Sequence, residues 1–142
     1  MQDRPDLEEL LEAVSAFLRE DVLPGQDGRP RYHLLVALNL LKMASREWRL
    51  GPEQLHDEWT RLRALPLPPL EDDPPTEFHR AAEALRQANE TLCGDIQAGR
   101  YDDGPGRESL LAHLRATLAA RLRIANPDFL ERVSGAPPAG RR

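Results

Sequence analysis

The chain has 142 residues, 40% hydrophobic and 30% charged, which is the composition and size of one globular domain. Its formal charge of −5 argues against general nucleic-acid binding, and no apolar run approaches the roughly 20 residues that span a bilayer. A single cysteine, Cys93, excludes an intramolecular disulfide and a cysteine-based zinc site, and the first residues lack a secretory signal pattern. The reading is a cytoplasmic protein, with no membrane partner and no nucleic-acid partner.

β-Branched residues are scarce, whereas leucine and alanine dominate, so the pattern predicts an all-α protein. The first helix is predicted from Pro5 to Val22. Leu7, Leu10, Leu11, Val14, Phe17, Leu18 and Val22 form its apolar stripe, and Asp6, Glu8 and Glu9 complement the helix dipole. Pro24 to Pro30 is a loop. The second helix runs from Pro30 to Leu50 and is stopped by Gly51-Pro52. From Leu34 to Ala44 it is apolar around most of its circumference, which is how a central, enclosed helix looks.

A third helix starts at Pro52, with Leu55, Trp59 and Leu62 as its apolar positions. Pro66 to Pro75 is the second loop. The fourth helix spans Thr76 to Ala98, capped by Thr76 or the acids before it and stopped by Gly99. Its stripe is Phe78, Ala82, Leu85, Leu92 and Ile96, with Cys93 as a small core filler. Gly99 to Arg107 is a loop. The fifth helix spans Glu108 to Asn126, with Leu110, Leu111, Leu114, Leu118 and Leu122 as its stripe, and Asn126-Pro127 ends it. One short turn follows over Asp128 to Val133. The architecture implied is an antiparallel bundle of about five helices with the second central. A single domain covers 1–133, and 134–142 is a flexible tail.

Three polar residues fall on apolar seams: His33 and Glu47, each one heptad from Leu40, and Asn89 between Leu85 and Leu92. With Asn39 and Arg46 they could line a polar pocket between the second and fourth predicted helices. The plainer reading is that each is satisfied locally and serves packing. His33 and Glu47 are ~21 Å apart along a helix, too far to form one compact site. Glu53-Gln54-Leu55-His56 matches half of a di-metal signature, but its second Glu-x-x-His is absent and no metal is expected. No catalytic set and no cofactor motif is present. From Arg107 onward the chain is +4, against −9 for the rest, so the basic end either pairs with the acidic remainder or docks on an acidic partner.

Pro5-Asp6 with Glu9-Leu10-Leu11-Glu12-Ala13-Val14, Phe17-Leu18 and Val22-Leu23-Pro24 resembles the opening of an uncharacterised family of short bacterial proteins. The likeness continues through Arg31-Tyr32-His33, Val36-Ala37 with Asn39, Arg46-Glu47 and Leu50-Gly51-Pro52. It resumes at Leu92 and Ile96, Ala98-Gly99, Asp102, and Ile124-Ala125-Asn126-Pro127 with Phe129-Leu130. That family is a domain of unknown function. Its members are often encoded beside, or joined to, aminoglycoside-phosphotransferase-like kinases and acyl-CoA dehydrogenases. The resemblance implies an accessory role and no catalytic residues. The expected function is a non-enzymatic helical module that partners such a kinase or dehydrogenase. The alternative is a small protein that binds an acyl-CoA or nucleotide-like ligand, or a minor enzyme. A homodimer is also compatible with the leucine-rich faces.

Overall fold

The computed structural model describes residues 4–66, 70–71 and 73–135. Most of the expected tail therefore lies outside the described residues, as does part of the Pro66 to Pro75 loop. The fold is all-α, with five α-helices and no strand among the described residues: α1 (Leu7–Phe17), α2 (Gly28–Arg63), α3 (Phe78–Gln97), α4 (Gly106–Ala125) and α5 (Pro127–Ser134). The chain divides into two compact units, Met1–Gly51 and Pro52–Arg142. α2 contributes turns to both.

In the first unit, α1 opens with a reciprocal capping box. Asp6 accepts from the Glu9 amide at 2.9 Å, and Glu9 accepts from the Asp6 amide at 3.0 Å. The predicted single helix to Val22 changes pitch instead. Leu18–Val22 is a π-helical turn and Leu23–Gly25 a 3₁₀ turn. Leu38 is the one large apolar side chain buried among the described residues of this unit. The expectation that Leu34 to Ala44 is enclosed on nearly all sides fails: Leu35, Val36 and Leu40 are exposed, Leu40 to 58%.

Gly51-Pro52 does not end the second helix. The two helices expected on either side are one helix of 36 residues, with Pro52 inside it. A proline there has no N–H to offer the carbonyl four residues back, on Trp48, so one rung of the ladder is missing. The two compact units meet in sequence at this interruption.

The second unit holds the hydrophobic core: Trp59, Leu62 and Leu65 from α2 and its exit, Leu85, Ala88 and Leu92 from α3, Tyr101 from the following loop, and Leu110 from α4. Trp59 is buried and its indole N–H donates to the Glu71 carbonyl at 3.2 Å. α3 buries Ala81, Leu85, Ala88, Leu92 and Asp95, a regular i, i+4, i+7 seam. This is rotated from the predicted stripe, since Phe78 and Ile96 are exposed, and so is Cys93, which is not a core filler. The N-cap of α3 is Glu77, without a side-chain cap bond, in place of the expected Thr76 or the acids before it. Its end follows expectation: Gly99 takes φ +77°, the left-handed conformation that favours glycine.

α4 departs most from the pattern. It buries Leu110, His113 and Ile124, while Leu111, Leu114 and Leu118 are exposed, Leu118 to 60%. Of the expected leucine stripe, Leu111, Leu114 and Leu118 are turned to solvent, whereas Leu110 is buried and Leu122 half-buried. Asn126 then caps α5, accepting from the Phe129 amide at 3.1 Å.

Candidate functional site

The five polar residues singled out in the sequence do not share one cluster. His33, Asn39, Arg46 and Glu47 belong to the first unit and Asn89 to the second. His33 is exposed, with its ring 5.8 Å from that of Tyr32. Glu47 is also exposed, because Leu40, which defined its seam, points to water. The Asn39 amide reaches the Met43 sulfur, at 3.9 Å.

Arg46 is half-buried and lines a groove of about 430 Å³ between α1 and α2. Leu11, Ala16 and Leu41 give the groove apolar walls, and Ser15 and Ser45 also line it. Three cations, Arg19, Lys42 and Arg46, stand around it with one acid, Glu12. The groove follows from the turn-by-turn spacing of 11, 15 and 19 on the first segment and 41, 42, 45 and 46 on α2.

Asn89 has a different setting. It is half-buried, and its amide donates to Glu58 Oε1 at 2.9 Å. Glu58 projects from the same face of α2 as Trp59 and Leu62 and is only 8% exposed. Arg121 of α4 approaches the same oxygen, with Nη2 at 4.0 Å. His113 of α4 is 2% exposed, and neither of its ring nitrogens has a hydrogen-bond partner among the described residues. Burial pushes its pKa below the ordinary histidine value. The Glu58 carboxylate opposes that shift and the Arg61 guanidinium adds to it. Nε and Nη2 of Arg61 and Oγ1 of Thr117, one turn beyond His113, are also buried without partners among the described residues. A carboxylate and a neutral imidazole in one setting can hold or pass a proton. Here both are almost sealed from solvent, Glu58 at 8% and His113 at 2% exposure.

Two further polar groupings are smaller. Asp95 is buried at the end of α3 and pairs with Arg100 at 2.7 Å. The outer surface of α3 carries Glu83, Arg86 and Glu90 as an exposed ion-pair row, an arrangement that adds little to stability. Among the described residues, no three His, Cys, Asp or Glu side chains stand close enough to hold a metal ion. Glu53 and His56 lie in the interior of α2 and both are exposed. No helix of the described residues is long and apolar enough to cross a membrane.

The model of a family described as a domain of unknown function, DUF6285, matches residues 24–129. The chain belongs to that family. The match takes in all of α2, α3 and α4, and so the whole Glu58–Asn89–His113 cluster, whereas α1 precedes it. No curated protein and no solved structure matches the chain.

Sequence reasoning found Asn89 and missed its partner. Glu58 was nonetheless legible. It stands three residues after Leu55 and four before Leu62, on the stripe those leucines define. His113 and Thr117 follow Leu110 at i+3 and i+7 in the same manner, but the richer leucine stripe beside them drew the assignment.

Proposed function

We propose that this DUF6285 protein is a non-enzymatic helical interaction module that docks on a protein partner through the solvent-facing side of α2. One observation carries the reading. Tyr32, Leu35, Val36 and Leu40 recur at i, i+3, i+4 and i+8 on one side of α2, and all four are exposed. Helices that are apolar all round are normally covered on every side. Tyr32, Leu35, Val36 and Leu40 have no such cover among the described residues. Exposed apolar stripes of this kind mark surfaces that meet a partner. Support for a binding role thus comes from an open apolar face, not from the enclosed helix that the sequence suggested.

The partner proposed is a phosphotransferase-like kinase or an acyl-CoA dehydrogenase encoded nearby in a bacterial genome, and the setting is cytoplasmic. The partner follows from the family resemblance, and the cytoplasmic setting from the sequence reading. The test is co-purification of the native chain with those neighbouring enzymes, repeated with Leu40→Glu and Val36→Glu. Capture that both substitutions abolish, with helical content unchanged, is the expected result. A chain that emerges alone, or capture indifferent to both substitutions, overturns the reading.

The groove favours a second reading, a binding protein for a small anionic ligand such as an acyl-CoA or a nucleotide. Its volume falls in the range of small-molecule sites, and its three cations suit phosphate oxygens. A thermal-shift screen with both ligand classes tests it, because binding to the folded state raises the melting temperature. A shift that Lys42→Gln removes supports the groove. The absence of any shift at saturating ligand excludes it.

A further inference from the structure

Two other helices of the chain present apolar stripes to solvent, and their charges are opposite. On α1, Leu7, Leu10, Val14 and Phe17 are all exposed and recur at i, i+3, i+7 and i+10, the spacing of a helix-packing seam. Leu11, Ser15 and Ala16, which face the groove, lie on a different side. From Asp6 to Val22 this segment holds six acids (Asp6, Glu8, Glu9, Glu12, Glu20 and Asp21) and one cation, Arg19, a net of −5. On α4, the exposed stripe is Leu111, Leu114 and Leu118. Arg107 stands one turn before Leu111 and Arg115 one turn after it. The helix carries four arginines against the single acid Glu108, a net of +3.

We infer that the acidic apolar stripe of α1 in one copy of this protein packs on the basic apolar stripe of α4 in a second copy. Each stripe supplies what the other lacks. Both are leucine-rich seams at helical spacing, so side chains of one can sit between those of the other. The charges that flank the two seams attract across that pairing, while α1 on α1 or α4 on α4 would bring like charges together. The interface is distinct from the α2 face proposed above for a different protein. Either assignment can therefore fail without the other.

Sedimentation velocity of the full chain, from micromolar concentration upward, reads the association directly. The expected result is a concentration-dependent mass above that of one chain. Leu118→Glu and Phe17→Glu each weaken the association by at least about tenfold, as for a buried interface anchor. Both positions are exposed in the single chain, so helical content and melting temperature should hold. Charge reversal tests the pairing itself. Glu20→Arg with Asp21→Arg weakens association several-fold, Arg107→Glu with Arg115→Glu does the same, and all four together restore it. Raised salt weakens the unmodified protein in the same direction.

Contact between two chains is verified by a disulfide. In a Cys93→Ser background, Phe17→Cys and Leu118→Cys chains are mixed under oxidation, and a disulfide joining the two variants is expected. A single-chain mass at every concentration overturns the inference, including the case in which α1 closes on α4 of its own chain. Association that survives both glutamate substitutions overturns it as well. So does failure of the fourfold charge swap to restore what each pair removed.

Discussion

His113 and Glu58 share a setting in which the protonation of one histidine bears on the stability of the second unit. The imidazole is 2% exposed, and burial lowers its proton affinity relative to an unfolded chain. An unfolded histidine takes up its proton near pH 6.5, whereas folded His113 does so only at lower pH. Between those two values the unfolded state binds more protons, so stability is intact above about pH 6.5 and falls as the solution is acidified. Urea unfolding followed across that range should show the decline, and His113→Gln should flatten it. An equally steep decline in the variant would show that other groups are responsible. Asn89 is the matching test of the carboxylate. Removing its amide takes away the donor to Glu58 Oε1, and Asn89→Ala should cost about 1–3 kcal/mol by the same unfolding measurement. Of these residues only Asn89 stood out in the sequence, because it interrupts a leucine seam. Glu58 and His113 were obscured: a charged or titratable residue beside a tryptophan or a leucine reads as the edge of the polar face. Which side of the helix is buried depends on neighbours that spacing alone does not reveal.

Among the elements, α2 and α4 show the two ways in which local pattern and packing part company. Gly51-Pro52 is a strong stop signal by propensity, yet the helix passes through it. The loss is confined to one backbone hydrogen bond and a crowded carbonyl at Trp48, a cost that packed turns on both sides can offset. Pro52→Ala returns the missing donor. It should raise the midpoint of thermal unfolding, by up to about 3 kcal/mol of added stability, with helical content unchanged or slightly higher. A lower midpoint would show that the proline is itself required for packing at that turn. On α4 the conflict is between faces. Leu111, Leu114 and Leu118 make the more apolar stripe, but His113 and Thr117 lie on the side of Leu110 and Ile124, toward the core and Glu58. The positions and ends of α3 and α4 were readable from leucine periodicity, proline and glycine, whereas the ends of α1 and α2 were not. The rotation of α4 was not, because both of its sides are plausible burial faces and the choice belongs to the elements packed against it.

At the level of the whole molecule, buried apolar mass is unevenly distributed. All eight residues of the hydrophobic core cluster belong to the second unit, from Trp59 to Leu110. The first unit buries Leu38 and leaves Leu7, Leu10, Val14, Phe17, Leu35 and Leu40 in contact with water. Opening free energy follows local burial, so amide hydrogen exchange should divide the chain accordingly. Amides around Leu62, Leu85, Leu92 and Leu110 should be the slowest to exchange, and those of α1 and the π-helical turn after it much faster. The two tryptophans give a quicker check. Trp59 is enclosed and Trp48 exposed, so acrylamide should quench Trp59→Phe protein, which retains Trp48, far more efficiently than Trp48→Phe protein. The docking role proposed for the α2 face adds one expectation to this division. Occupation of the α2 face by a partner should therefore slow exchange in the first unit while hardly changing the core amides. Exchange in α1 and the first half of α2 as slow as in the core, in the isolated single chain, would mean that these apolar faces are already satisfied and need no partner.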